Sequence, residues 1–509
     1  LQANYERTFG KKHYVTGMVL AQRDLKEARE NEGYADPYLP FNVIGIAGRA
    51  TYAFDSRYLA EFNIGYNGSE QFAPGHRFGV FPAFSGGWVV SNESFLRDNK
   101  VLTNLKLRAS YGKVGNDRFG GRRFLYLDNI NRAGGSFWNV SIPSIANGGK
   151  ISEAYVGNPD ITWETAWKQN YGVDISLFRD LSASFDYFIE HRDGILIQRG
   201  TVPVMNGLPV GALPLVNMGK VDNEGYEITL NYHRQIGKDW SVRAGGNFAY
   251  NKNTVKEYDE VLLSDDYAYR YRTEGFSIGQ QWGYLIDRST DLEHGRDGSG
   301  YFFSQESIDK SGLKYNIGTP RPGDFIYRDL NGDGIIDTKD LAPIGYSSIA
   351  PRITYGFNFG LSWKGLDVSA MFQGVGQYSR YYSGWGIFEE IGSKSYIDMN
   401  FGRWSQERYK AGEKITAPRL ANSTSTSHTQ NDYYIMDASY LRLKNVEIGY
   451  TLPKRITEKF GASNLRVYAT GENLFTWDNL RTDCLDPEQT SVLTYPLLRT
   501  FSFGLSVNF

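Results

Sequence analysis

Apolar and polar residues alternate with a period of two along most of this 509-residue chain. The clearest case is the stretch ITYGFNFGLSWKGLDVSAMFQG, which begins at Ile353. Apolar residues occupy every second position up to Trp363, a Lys364-Gly365 turn follows, and the alternation resumes at Leu366. Because successive side chains of a strand point to opposite faces, alternation on both sides of a short turn predicts a β-hairpin.

The same pattern recurs along the chain and predicts about fifteen strands. Short turns such as DSR and FRD join some neighbouring strands, whereas long connections join the others. The predicted strands lie near 1–9, 13–22, 44–54, 58–66, 78–90, 104–112, 170–177, 181–190, 224–233, 240–250, 353–363, 366–374, 440–450, 464–472 and 500–509. The long connections are 113–169, 191–223, 251–352, 375–439 and 473–499.

Strands of about ten residues with short turns at one end and long loops at the other are typical of outer-membrane barrels. The mean hydropathy of −0.45 is compatible with this, because a barrel strand is apolar only at every second position. Soluble β-sandwich domains are the alternative, but they rarely keep all their long loops on one side. The predicted fold class is therefore all-β, a transmembrane antiparallel β-barrel with long extracellular loops.

The odd number of predicted strands suggests that this chain is only part of a barrel, because bacterial single-chain barrels have even strand numbers. The opening LQANYERTFG also lacks the basic and apolar regions of a signal peptide. We therefore expect residues 1–509 to be the C-terminal part of a barrel, and if that barrel has 22 strands, about seven of them lie upstream. In that topology the connection 251–352 lies outside the cell.

Composition excludes several other classes of protein. The net charge of −2 gives no electrostatic basis for nucleic-acid binding. One cysteine and six scattered histidines provide no disulfide framework and no metal-ligand spacing. No stretch approaches the roughly 18 apolar residues that a membrane helix needs, and the common hydrolase and phosphate-loop motifs are absent. We expect no catalytic residues and no enzyme activity.

The stretch RDLNGDGIIDTKD, which begins at Arg328, has the spacing of a calcium loop. Gly334 occupies position 6, where such loops turn sharply, and Ile336 at position 8 is expected to point inward. The last ligand is Asp340 instead of the usual Glu, and the preceding PGDFIYRD is typical of a strand, so no helix pair is expected. The alternative is a turn rich in Asn, Asp and Gly that binds nothing. The predicted Ca²⁺ ligands are Asp329, Asn331, Asp333, Ile335, Asp337 and Asp340.

Six stretches, one of which contains the calcium-type spacing, carry a family resemblance. They are LKLRASYGKVGND (105–117), GNPDITWETAWKQNYGVDISLF (157–178), NMGKVDNEGYEITL (217–230), GDFIYRDLNGDGIIDTKDLAPIG (323–345), YLRLKNVEIGYTLP (440–453) and LRVYATGENLFTW (465–477). With them the chain resembles the C-terminal two-thirds of a SusC-like TonB-dependent outer-membrane transporter of the Bacteroidetes type. The resemblance covers essentially the whole chain.

The resemblance implies a 22-stranded barrel in the bacterial outer membrane, in contact with its lipid, and import of an oligosaccharide or a peptide. It also implies a SusD-like surface lipoprotein that closes over the extracellular mouth, and pairs of transporter and lipoprotein that can dimerise. Energy would come from the TonB complex acting on a plug domain, which should precede Leu1. The calcium would then be structural and lie in an extracellular loop.

The loop GVGQYSRYYSGWGIFEE, residues 374–390, is the candidate contact for ligand or lipoprotein, because Tyr and Trp suit both sugars and protein interfaces. An aromatic girdle or a self-packed loop is the alternative. Trp163 and Trp167 are expected to be structural. A calcium-binding, adhesin-like surface protein is the alternative function, and the alternating C-terminal strand that ends at Phe509 argues against it. The candidate contact residues are Tyr378, Tyr381, Tyr382, Trp385 and Phe388.

Overall fold

The computed structural model describes residues 1–26, 41–119, 122–133, 150–203, 205, 207–388, 397–421 and 424–509. Fifteen strands form one sheet in which they follow one another in chain order. They are β1 Gln2–Phe9, β2 His13–Lys26, β3 Phe41–Phe54, β4 Tyr58–Ser69, β5 Phe78–Val89, β6 Leu102–Asn116, β7 Glu164–Leu177, β8 Leu181–Gln198, β9 Leu215–Ile236, β10 Trp240–Glu257, β11 Ile353–Trp363, β12 Leu366–Gly376, β13 Tyr440–Thr451, β14 Asn464–Asp478 and β15 Thr500–Asn508. The all-β antiparallel prediction is confirmed, and each predicted strand is present.

Several strands are longer than the sequence indicated. β7 begins at Glu164, β8 ends at Gln198, and β9 begins at Leu215 and has 22 residues. The added residues lie at the ends next to the long connections, where polar and half-buried residues occur on both faces. Backbone pairing continues in these residues, but apolar and polar residues no longer alternate, so the sequence pattern does not reveal them as strand.

The hairpin of β11 and β12 shows how the short turns fix the register. Trp363 pairs with Leu366, so only Lys364 and Gly365 lie in the turn, and both have positive φ angles (45° and 90°). A two-residue turn with positive φ at both positions matches the right-handed twist of the flanking strands. The register that follows brings Phe357 opposite Phe372, with their ring centroids 4.6 Å apart.

The two faces of the strands differ in polarity. On β11 the side chains of Phe357, Phe359, Leu361 and Trp363 share one face and are exposed. Exposed large apolar side chains at every second position are unusual in water and suit a surface in contact with lipid.

The other face carries charge, as a group on β6, β7 and β8 shows. Arg108 donates hydrogen bonds to Asp174 (Nε–Oδ2, 3.0 Å) and to Asp186 (Nη1–Oδ1, 2.7 Å). Arg466 on β14 pairs in the same way with Asp367 and Glu447. The sheet therefore separates an apolar face from a charged one, as a membrane barrel requires.

The chain divides into two compact units. The first comprises Leu1–Glu227, Lys252–Val261 and Thr273–Gly275, and the second comprises Ile228–Asn251, Leu262–Arg272 and Phe276–Phe509. Each unit buries a core that is built largely from the connections. In the first unit Phe72, Leu125, Ile161 and Trp163 pack together. In the second unit the buried cluster includes Tyr284, Ile286, Tyr301, Phe325, Tyr327, Ile336, Tyr382, Phe388, Tyr434 and Leu485.

Short elements shape the connections. The helices are α1 Gln305–Ser311, α2 Gln406–Lys410 and α3 Lys454–Thr457. The short strands are Asn129–Ala133, Lys150–Tyr155, Gln280–Gly283, Thr290–Asp291, Arg296–Asp297, Lys314–Tyr315, Ile335–Ile336, Ala342–Ser347, Ser379–Tyr381 and Ile435–Asp437. In the part of the chain that the structure describes, no helix is both long and apolar enough to cross a bilayer.

Candidate functional site

The calcium-type loop lies in the connection between β10 and β11, inside the second unit. The two-residue strand Ile335–Ile336 pairs in parallel with Lys314–Tyr315, and this pairing holds the middle of the loop. Ile336 has no exposed surface and belongs to the aromatic cluster of the unit, which confirms that position 8 points inward. Within residues 321–328 Phe325 and Tyr327 form isolated bridges to Tyr301 and Ile286, and no residue of this stretch is helical, so the absence of an entering helix is confirmed.

The first half of the loop turns around the Asp329 carboxylate. Its two oxygens accept hydrogen bonds from the amides of Gly332 and Gly334, both at 2.7 Å. Gly334 has a φ angle of 77°, a left-handed conformation that glycine adopts without strain. Asp333 accepts from the amide of Ile335 at 2.8 Å and from Asn331 Nδ2 at 3.0 Å. The backbone thus makes the sharp turn that position 6 of a calcium loop requires.

The second half closes on the buried Asp340. Its Oδ1 accepts from the amide of Leu330 at 2.8 Å and its Oδ2 accepts from the amide of Asp337 at 3.0 Å. Burial raises the pKa of the Asp340 carboxyl, the two amides act in the opposite direction, and the charges of Asp329 and Asp337 raise it again. The carboxylates of Asp329, Asp337 and Asp340 therefore lie close enough to repel one another at the end of the loop, and a bound cation would reduce this repulsion.

The backbone turn at Gly334 and the buried Ile336 are both features that a calcium loop has. Each ligand carboxylate binds amides of the loop, yet a carboxylate offers about four lone-pair sites and can accept further partners. No group of three or more His, Cys, Asp or Glu side chains is already arranged to hold a metal ion among the described residues. Ca²⁺ binding at this loop therefore stays a prediction.

Residues 264–272 pack directly on the calcium-type loop. Lys339 forms an ion pair with Asp266, and Asn331 Nδ2 donates to the Asp266 carbonyl at 2.8 Å. The Arg272 guanidinium donates to the carbonyls of Thr338 and Leu341, both at 2.9 Å, and lies over the Trp282 ring at 4.7 Å. The loop is therefore held by a second segment of the same connection, a contact that spacing alone does not indicate.

The structure separates the five aromatic candidates into two groups. Tyr378, Tyr382 and Phe388 are buried, and Phe388 stacks on His428 with 4.6 Å between ring centroids. Tyr381 is half-buried against the same cluster, whereas Trp385 exposes 43% of its surface. The last two residues of the loop, 389–390, lie outside the described residues.

A buried ring has no face to offer a ligand or a partner. For Tyr378, Tyr382 and Phe388 the contact prediction is therefore corrected, because these rings fill the core that holds the loop. Contact with ligand or lipoprotein stays a prediction for Trp385 and Tyr381. Trp163 is buried and donates from Nε1 to the Arg77 carbonyl at 3.0 Å, which confirms its structural role.

One charged group was missed by sequence reasoning. Arg442 on β13 is 1% exposed and pairs with Asp486 and Glu488 from the connection between β14 and β15. Tyr440 Oη donates to Glu488 Oε1 at 2.7 Å. The sequence offers one signal, an arginine within an alternating strand, but its partners are 44 and 46 residues away.

Comparison with known proteins agrees with this fold. The family model described as TonB dependent receptor-like, beta-barrel, matches residues 2–474. The chain belongs to this family. TonB-dependent receptor-like barrels lie in the bacterial outer membrane, so the predicted location and the apolar face of the strands are explained together. The named members are transporters or receptors rather than enzymes.

The chain is similar to two curated TonB-dependent receptors over nearly its whole length. TonB-dependent receptor P3 of Formosa agariphila is 28% identical over 92% of this chain and 45% of that protein. TonB-dependent receptor SusC of Bacteroides thetaiotaomicron is 26% identical over 94% of this chain and 45% of that protein. The SusC-like resemblance is therefore confirmed.

A solved structure of the RagAB peptide transporter has the same fold. It superposes with a TM-score of 0.73 at 20% identity and covers 100% of this chain and 55% of the solved chain. The chain spans about half the length of the curated relatives it matches, where two-thirds was expected. What the whole transporter does, carries and binds is therefore a matter for proposal.

Proposed function

We propose that the complete protein is a SusC-like, TonB-dependent importer of oligosaccharides or peptides that works with a SusD-like surface lipoprotein. The observation that supports this is the similarity over nearly the whole chain to SusC, together with the fold shared with the RagAB peptide transporter. In this proposal the described strands are the C-terminal part of the barrel wall, and the plug and early strands belong to sequence outside these residues.

In this proposal the lipoprotein, the barrel and the plug each carry out one step of import. The lipoprotein lid opens, substrate enters between lid, loops and plug, and the TonB complex pulls on the plug from the periplasm. The aromatic core of the second unit gives the connections a fixed shape on which a lid can rest. Trp385 and Tyr381 are the proposed contacts for cargo or lid, because Trp385 is exposed and Tyr381 is only half-buried where it packs against that core.

The adhesin-like alternative has less support. It requires β-sandwich repeats, whereas the strands form a single sheet in chain order and the chain matches a transporter family.

Affinity purification of the complete transporter from outer membranes, followed by native mass spectrometry, tests the proposal. We expect a lipoprotein to co-purify, either as one pair or as a dimer of pairs. The class of cargo is determined by measuring the uptake of labelled oligosaccharides and peptides by cells. The measurement is repeated with a protonophore, which removes the energy for TonB. A transporter that purifies alone and leaves both kinds of uptake unchanged when deleted contradicts the proposal.

We also propose that the loop from Asp329 to Asp340 binds a structural Ca²⁺. The supporting observations are the spacing, the turn at Gly334 and the buried Ile336. Asp329, Asn331, Asp333, Asp337 and Asp340 would supply side-chain oxygens, and Ile335 would supply its carbonyl. Calcium sites of extracellular modules bind with dissociation constants of about 0.1–1 mM, which the surroundings of an extracellular loop can saturate.

Asp329→Asn should abolish most of the calcium affinity, because position 1 loses a charged ligand. We expect at least a tenfold rise in the dissociation constant, measured by calorimetry on the complete protein. The wild type should also gain thermal stability with Ca²⁺, by about 2.7 kcal/mol when the ion is at 100 times its dissociation constant.

Asp309→Asn is the matched control, since Asp309 is an exposed carboxylate in α1 of the same unit. It should leave both calcium affinity and the calcium-dependent stability unchanged. Equal affinity in the wild type and in Asp329→Asn would show that the loop is a turn without an ion.

A further inference from the structure

The connection between β14 and β15 ends in an exposed apolar segment, residues 493–499. Leu493 exposes 69% of its surface and Tyr495 exposes 78%, and Leu497 and Leu498 are also exposed. Large apolar side chains in a row on a loop need an explanation, because a loop in water gains nothing from them.

The segment is held in place rather than loosely attached. The residues before it are fixed to the core of the second unit by Leu485, which is buried, and by the pairing of Glu488 with Arg442. Gln489 Nε2 donates to the carbonyls of Thr494 (3.3 Å) and Tyr495 (3.0 Å). The backbone of the segment is thus held by hydrogen bonds from Gln489, while its apolar side chains remain exposed.

The far end of the segment reaches the lipid-facing side of β14. Asn473 Nδ2 donates to the Leu498 carbonyl at 3.1 Å, and the Arg499 guanidinium lies 5.9 Å from the centre of the Phe475 ring. Phe475 and Trp477 are exposed on the face opposite to that of Arg442, the face that carries the apolar band. The segment therefore continues the band at the end of the strand next to the long connections.

We propose that residues 493–499 are a membrane-surface contact that lies in the interfacial region of the outer leaflet. Leucines and a tyrosine suit the boundary between acyl chains and headgroups, and aromatic residues with an arginine are the usual anchors at that depth. Arg499 would meet the lipid phosphates, whose charge attracts basic residues next to the membrane. Continuity with the apolar band favours lipid over a protein partner as the occupant.

Quenching by membrane-embedded bromolipid tests this contact. The complete transporter, with Cys484 and any other cysteine replaced, receives a single cysteine by Tyr495→Cys, or in a second variant by Leu493→Cys, and a bimane label. Phe359→Cys on the apolar face of β11 is the positive control, and Lys414→Cys in an exposed loop of the same unit is the negative control. The labelled proteins are reconstituted into phosphatidylcholine and phosphatidylglycerol vesicles that contain bromolipid.

We expect quenching at position 495 or 493 to be at least threefold above that at position 414 and to approach that at position 359. Quenching at the level of position 414 overturns the proposal. Quenching by iodide in the aqueous phase then shows why bromolipid does not reach the label, since a label that iodide quenches lies in water. A label protected from both quenchers is covered by protein, either the remaining part of the transporter or a partner, and this also overturns lipid contact.

Discussion

Arg442→Ala should loosen the connection between β14 and β15 by about 1–3 kcal/mol, the largest effect that we expect from a single arginine. The side chain is 1% exposed and pairs with both Asp486 and Glu488. Its removal leaves Asp486, whose side chain is 17% exposed, without its cation, whereas Glu488 is 43% exposed and water can partly replace the arginine there. Hydrogen exchange of the amides of residues 480–490 in the complete protein measures the loss.

Arg288→Ala is the control for this experiment. Arg288 also pairs with a carboxylate of the second unit, Asp432 at 2.6 Å, but its side chain is 46% exposed. Exposed pairs contribute about 0–1 kcal/mol, so exchange near Asp432 should change little. Combining Arg442→Ala with Asp486→Asn and Glu488→Gln should recover part of the protection, because the carboxylates then carry no charge. Unchanged exchange in Arg442→Ala would show that the pair does not hold the connection.

Asp324→Ala should destabilise the long connections of the second unit by about 3–5 kcal/mol. Asp324 has no exposed surface, and its Oδ1 lies 2.9 Å from Arg419 Nε. The same oxygen accepts from Ser425 Oγ at 2.7 Å, and Oδ2 accepts from the amide of Arg321 at 2.9 Å. Alanine removes the carboxylate that balances Arg419 among the described residues and leaves the hydroxyl and amide donors without this acceptor.

Limited proteolysis of the complete protein measures this loss, since opening makes the chain at residues 400–421 more accessible to cleavage. Asp324→Asn should be less damaging than Asp324→Ala, because the amide oxygen still accepts hydrogen bonds. Asp309→Ala, at an exposed carboxylate, should stay within about 0.5 kcal/mol of the wild type. A cleavage rate in Asp324→Ala that matches that of Asp309→Ala would contradict the role assigned to the buried carboxylate.

The calcium-type loop shows where local spacing is informative. The turn at Gly334 and the inward Ile336 were both predictable, because the positions of a tight loop are set by near neighbours in sequence. The packing of residues 264–272 on this loop was not predictable. The Arg272 and Lys339 contacts join residues some 66–73 positions apart, and no periodic pattern marks such pairs.

The aromatic loop shows the opposite case. Its composition gave Tyr378, Tyr382 and Phe388 as surface contacts, yet all three are buried. A tyrosine suits a core and an interface equally well, because its ring is apolar and its hydroxyl is polar. Only the position of the surrounding connections decides between these two environments, and that position is a tertiary property.

The sequence by itself determined the fifteen strands, their chain-order topology and the polarity of their two faces. Each strand has lipid on one side and polar groups on the other. A strand can therefore be recognised from the alternation of apolar and polar residues over about ten positions. The tertiary structure decided which connections form a core, that Arg442 meets Asp486 and Glu488, and that residues 493–499 end beside Phe475. Those arrangements depend on packing between distant segments, where any apolar residue of suitable size can take part.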